Sequence, residues 1–108
     1  KRLVTTSITD RLNEVPDSFE LFANYPNPFN PITRIKYTIP QSSFVTVKIY
    51  DLLGSEVTTL VNEHQSAGNY EVEFDARSYG GGKLSSGIYI YSIRAGNYVA
   101  NKKMALTK

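Results

Sequence analysis

The residue types that carry chemistry are thinly spread in this chain. It has one histidine and no cysteine. That histidine, His64, stands between Glu63 and Gln65 at the lip of a predicted turn. A nucleophilic triad would need it buried beside an oriented carboxylate and a serine, and a metal centre would need further imidazoles or thiolates. It therefore reads as an exposed turn residue. Gly80-Gly81-Gly82-Lys83 has the composition of a phosphate loop, but the first glycine of that motif falls on Arg77 and the hydroxyl position after the lysine falls on Leu84. No helical pattern follows to present an N-terminal dipole, so the stretch reads as a flexible loop. Asp51 and Asp75 end predicted strands without the dense oxygen spacing of a calcium loop, and turn capping explains both. Most of the eight tyrosines alternate with core residues, leaving Tyr50, Tyr79 and Tyr98 as the ones expected at the surface. No catalytic residue, metal ligand or cofactor is expected.

Length and charge narrow the classes further. A chain of 108 residues makes one domain with a modest core, too small for a large catalytic cleft. Twelve basic and ten acidic side chains are scattered, not gathered into a stripe, so nothing calls for a nucleic acid or an acidic membrane. No apolar run approaches the ~20 residues that span a bilayer as a helix. The absence of cysteine rules out disulfides but fixes no compartment. The first residue is Lys1 and not methionine, as expected of a piece cut from something longer.

Residues 1–18 mix Thr, Ser, Asp, Arg and Asn without a sustained period and read as a linker from an upstream domain. From Phe19 onward the texture changes to short alternating runs separated by turn signals, which is an all-β pattern. Phe19 to Phe22 is a short edge strand. Thr33 to Ile39 alternates, with Ile35, Tyr37 and Ile39 on one face, and Phe44 to Asp51 repeats this with Val45, Val47 and Ile49. In Ser55 to Asn62, Val57, Thr59 and Val61 share a face while Leu60 lies opposite, which asks for a bulge or burial on both faces. After a turn at Gln65 to Asn69, Tyr70, Val72 and Phe74 alternate with Glu71 and Glu73. Arg77 to Ser86 is irregular. Gly87 to Arg94 is a central strand with Tyr89, Tyr91 and Ile93 inward, and Ala95-Gly96-Asn97 turns it into a last strand carrying Met104 and Leu106 to the core. No helix is expected. Seven short strands predict an immunoglobulin-like two-sheet sandwich of antiparallel strands, with a small barrel as the alternative.

One stretch resists the strand pattern. Asn24-Tyr25-Pro26-Asn27-Pro28-Phe29-Asn30-Pro31 alternates prolines with asparagines around two rings. Each proline fixes its own φ, removes a donor and drives its predecessor out of the helical region. Asparagine amides can replace the missing backbone partners. The stretch reads as a stiff clasp closing one end of the domain, with Tyr25 and Phe29 packed against it.

Taken in order, Phe19-Glu20-Leu21, the proline–asparagine stretch, Thr33-Arg34-Ile35-Lys36-Tyr37, Val47-Lys48-Ile49-Tyr50-Asp51 with Gly54, Ala67-Gly68-Asn69-Tyr70, Ser86 to Tyr91 and Lys103-Met104-Ala105-Leu106 resemble the type A C-terminal sorting domain of the bacterial type IX secretion system. The related immunoglobulin-like domain of flagellar hook-capping proteins is similar too. The likeness spans residues 19–108, with Ala23 where glutamine is common, Phe74 where tryptophan is frequent, and a long Gly80 to Ser85 loop. It implies a non-catalytic address: an attached cargo domain crosses the periplasm, the outer-membrane translocon reads the address, and a sortase-like cysteine protease removes it, leaving cargo at the cell surface or released. No nucleic acid or transmembrane segment enters this scheme, and the domain is expected to be a monomer. A signal read by folded shape needs an accessible edge, and strand addition is a recurring way to engage one. Lys102, Lys103, Met104, Leu106 and Lys108 are the expected recognition residues, the lysines supplying charge and the apolar pair fixing the strand. The competing expectation is a structural or carbohydrate-binding sandwich module of a secreted enzyme, using Tyr79 and Tyr98.

Overall fold

A computed structural model describes residues 15–79, 82 and 84–108. They form seven strands: β1 (Glu20–Leu21), β2 (Ile32–Ile39), β3 (Ser43–Asp51), β4 (Glu56–Gln65), β5 (Gly68–Asp75), β6 (Gly87–Ala95) and β7 (Tyr98–Leu106). One sheet has the order β1-β2-β5 and the other β4-β3-β6-β7, with every named pair antiparallel. This is the two-layer sandwich and not the barrel. The period-two pattern places Ile35, Tyr37, Ile39 and Phe74 of the first sheet against Val45, Val47, Ile49, Tyr89, Tyr91, Ile93, Met104 and Leu106 of the second, all buried. Burying such side chains supplies about 1.5–3 kcal/mol each.

The one strand with irregular alternation is β4. Its register against β3 slips twice, from Val47↔Val61 to Lys48↔Thr59 and from Ile49↔Thr58 to Tyr50↔Glu56, so Leu60 and Val57 have no partner opposite. The extra residues turn Leu60 toward the core beside Val57 and Val61, while Thr59 is exposed. Leu60 therefore does not lie opposite its neighbours, because a bulge resets which way the next side chain points. β4 also continues to Gln65, so His64 lies within a strand, opposite Phe44, and not on a turn. It is exposed, its ring edge-on to Phe44 at 6.4 Å.

Between β5 and β6, Ala76–Ser78 forms a single 3-10 turn where no helix was expected. Asp75 caps it, its Oδ1 accepting from the Arg77 backbone N–H at 3.0 Å while Oδ2 pairs with the Arg77 guanidinium at 2.8 Å. Those bonds hold the Asp75 carboxyl below the usual carboxylate range. Asp51 caps in the same way, its Oδ1 accepting from the backbone N–H of Leu53 and of Ser55 around Gly54, whose φ is +88°. Gly80, Gly81 and Lys83 of the phosphate-loop-like stretch, and residues 1–14 of the expected linker, lie outside the described residues.

Two buried phenols tie the layers together. Tyr37 Oη of β2 donates to Gln65 Oε1 of β4 at 2.6 Å, and burial pushes the Tyr37 phenol up to about 12. Tyr91 Oη of β6 donates to the Phe22 carbonyl at 2.7 Å and accepts from the Asn24 backbone N–H at 2.9 Å.

Candidate functional site

The proline–asparagine stretch is a strap from the first sheet to the last strand. Tyr25 exchanges backbone hydrogen bonds with Arg34 at 3.0 and 2.9 Å, continuing the β1 edge along β2. Asn24 is buried: its Nδ2 donates to the Pro26 carbonyl at 3.2 Å and to Thr33 Oγ1 at 3.0 Å, and Thr33 Oγ1 in turn donates to Pro26 O at 2.9 Å. These side-chain bonds replace the ladder bonds that the prolines cannot make.

The strap then reaches β7. Phe29 N donates to Ala105 O at 2.9 Å, Thr107 N donates to Phe29 O at 2.9 Å, and Ala105 N donates to the Asn27 side-chain oxygen at 3.0 Å. Phe29 is thereby a one-residue parallel partner of Leu106. Its ring, 1% exposed, meets Phe74 edge-on at 5.9 Å. The expected packing of Tyr25 fails. Its side chain is 80% exposed, because the backbone pairing with Arg34 aims it outward while Phe29 alone fills the end of the core.

Of the five expected recognition residues, Met104 and Leu106 are 1% and 2% exposed and belong to the core. Lys102, Lys103 and Lys108 are exposed. Alternation puts Lys102 on the inner side of the sheet with Met104 and Leu106, and Lys103 on the outer side with Val99 and Asn101. The adjacent lysines thus flank the strand edge on both faces. The exposed tyrosines were misplaced: Tyr98 stacks on Phe19 at 5.2 Å, Tyr79 stacks on Phe74 at 5.4 Å, and Tyr50 is half-buried on the outer face. The irregular stretch around Tyr79 concealed a packed ring. The sequence reading also missed a depression of about 280 Å³ on that outer face, lined by Thr46, Lys48, Tyr50, Ser92, Arg94 and Val99. Strand alternation already aims most of these side chains outward, but only the pairing of β3 with β6 sets Lys48 beside Ser92 and Thr46 beside Arg94. No group of three or more potential metal ligands occurs among the described residues.

Comparison with solved structures finds the same sandwich fold within other proteins. It superposes on part of PorZ, an essential surface component of the type IX secretion system of Porphyromonas gingivalis, with a TM-score of 0.56 and 21% identity over 85% of this chain and 12% of that one. It also superposes on part of dimeric latent PorU from the same organism, with a TM-score of 0.62 and 20% identity over 87% of this chain and 10% of that one. The alkylpurine DNA glycosylase AlkC of Pseudomonas fluorescens, solved with DNA containing an abasic site analogue, shares the fold at a TM-score of 0.53 and 14% identity, over 84% of this chain and 31% of that one. The chain spans about a tenth of the length of the two Porphyromonas proteins. Comparison with curated protein sequences gives no match. The model of one family, described as the secretion system C-terminal sorting domain, matches residues 23–107, which takes in the strap and strands β2 to β7 and leaves out β1; the chain belongs to that family.

Proposed function

We propose that this non-catalytic domain directs an upstream cargo domain of the same chain through the outer membrane, read in its folded form by the type IX translocon. The family match over residues 23–107 carries this reading. In this scheme residues 1–18 link cargo to the sorting domain at 19–108, a sortase-like cysteine protease cuts in or near the linker, and the monomeric domain passes the periplasm on its way to the cell surface or medium. Lys102, Lys103 and Lys108 make the contact. Met104 and Leu106 hold the strand that presents them, since both are buried. A carbohydrate-binding module is disfavoured, because Tyr79 and Tyr98 spend their faces on Phe74 and Phe19.

Deleting residues 103–108 cannot test recognition, since it removes two core side chains and the partners of the strap. The informative variant changes Lys102, Lys103 and Lys108 to alanine in a reporter fused ahead of the domain and expressed in a type IX-competent bacterium. Export is expected to fall about tenfold or more, equivalent to roughly 1.4 kcal/mol of recognition, with the thermal midpoint unchanged. Full export by the folded triple variant would remove the lysines from the reading. Full export of a reporter lacking the whole domain would remove the reading itself.

A further inference from the structure

The strap decides which part of the β7 edge is open. The N–H and C=O of Ala105 and the N–H of Thr107 point away from β6 and are occupied by Asn27 and Phe29. Residues two apart in a strand face the same way, so Val99, Asn101 and Lys103 present their N–H and C=O groups to the same edge. Among the described residues none of these groups has a partner there. The strap ends on Ala105, leaving a short ladder segment open just before it.

The surroundings of that segment are basic on both faces. Lys102 flanks it on the inner side and Lys103 on the outer side. One strand inward, Arg94 sits opposite Val99, and among the described residues it has no acidic partner, whereas Lys48, another strand in, pairs with Glu56 at 3.3 Å. The depression between Tyr50, Arg94 and Val99 adjoins the open edge, with Val99 itself 50% exposed.

We propose that the β7 edge from Val99 to Lys103 accepts an extended, acidic strand of a partner protein, whose carboxylates pair with Lys102, Lys103 and Arg94. Lysines on an edge discourage indiscriminate pairing, yet the same charges favour a strand of opposite sign. They also disfavour a second copy docking through its own β7, which would set lysines against lysines. The proposal gives the recognition strand its partner chemistry, and it rests on the export reading only for its biological use.

The test titrates the isotope-labelled 108-residue chain with a synthetic eight-residue peptide in which pairs of valines alternate with pairs of glutamates, so that carboxylates reach both faces, using the valine–lysine peptide of the same pattern as control, and follows amide hydrogen exchange. The acidic peptide is expected to slow exchange at Val99, Asn101 and Lys103 by about tenfold or more, and to bind more weakly as added salt shortens the screening length. Asn101→Pro, tolerated on an edge strand because that N–H points outward, is expected to abolish the protection and leave the thermal midpoint in place. Lys102→Glu with Lys103→Glu keeps every ladder group and is expected to exchange the preference toward the valine–lysine peptide. Equal response to both peptides, no protection at the three amides, or self-association that protects the Glu71 and Glu73 edge of β5 instead would each overturn the proposal. Protection together with undiminished export by the triple lysine variant would keep the edge and discard the export role of the lysines. Lost export without protection would do the reverse.

Discussion

Asn27 shows how one side chain does what a backbone cannot. Flanked by prolines that have no N–H, it offers its side-chain oxygen to the Ala105 N–H at 3.0 Å. Asn27→Ala is expected to cost about 0.5–1.5 kcal/mol in urea unfolding and to speed exchange at Ala105, while Asn27→Asp, which keeps the acceptor, is expected to cost less. Tyr91→Phe is more severe, since it strands the buried Asn24 N–H and the Phe22 carbonyl together, and about 1–3 kcal/mol per orphaned group is expected. Tyr37 sets the behaviour in alkali. Its phenol is raised to about 12, chiefly by burial, so the folded state holds its proton after the unfolded chain, with an ordinary value near 10, has released it. Stability is therefore full below pH 10 and falls as pH rises from about 10 to about 12, by roughly 2–3 kcal/mol from this group. Tyr37→Phe should flatten the unfolding curve in that window. Tyr89 and Tyr91, also raised by burial, leave a residual slope.

At the scale of elements, the strap and β7 behave as one unit. Phe29→Ala empties the space against Phe74 and is expected to cost about 3–5 kcal/mol, with the Ala105 and Thr107 amides losing protection before those of β3. If β3 and β7 instead exchange together in that variant, the strap does not control the last strand separately. The bulged β4 makes the complementary point. Alternation in the sequence marks it as irregular, yet the choice of Leu60 and Val57 as the extra residues follows from how β3 draws Val61 and Thr58 into register. A bulge is a property of two strands, and no single strand carries enough information to place it.

For the molecule as a whole, the proposed function gives the buried end of β7, at Met104 and Leu106, and the charged segment before it separate jobs. Met104→Ala is expected to lower stability by about 2–5 kcal/mol, and export should fall only as far as folding does. The lysine substitutions should leave stability alone and act on export. A measurement of unfolding midpoints beside reporter export across the two sets distinguishes them, and parallel losses in both sets would mean that the translocon responds to folding and not to this surface.

Much of this was decided locally. A period of two fixes which side chains of β2, β3, β5 and β6 enter the core, because burial of one sheet face admits only one register. Turn chemistry marked Asp51 with Gly54, and proline geometry excluded helix and central strand from residues 24–31. The ordered motifs also led to the family. What the sequence could not decide was where the ends of the chain meet. Asn27 and Ala105 stand 78 positions apart, and only the packing of two sheets brings them within a hydrogen bond. That meeting occupies edge groups of Ala105 and Thr107 with the strap, and leaves Val99 to Lys103 as the open part of β7. Such contacts depend on which groups remain unpaired after every local bond has formed, and that balance exists only in the assembled fold.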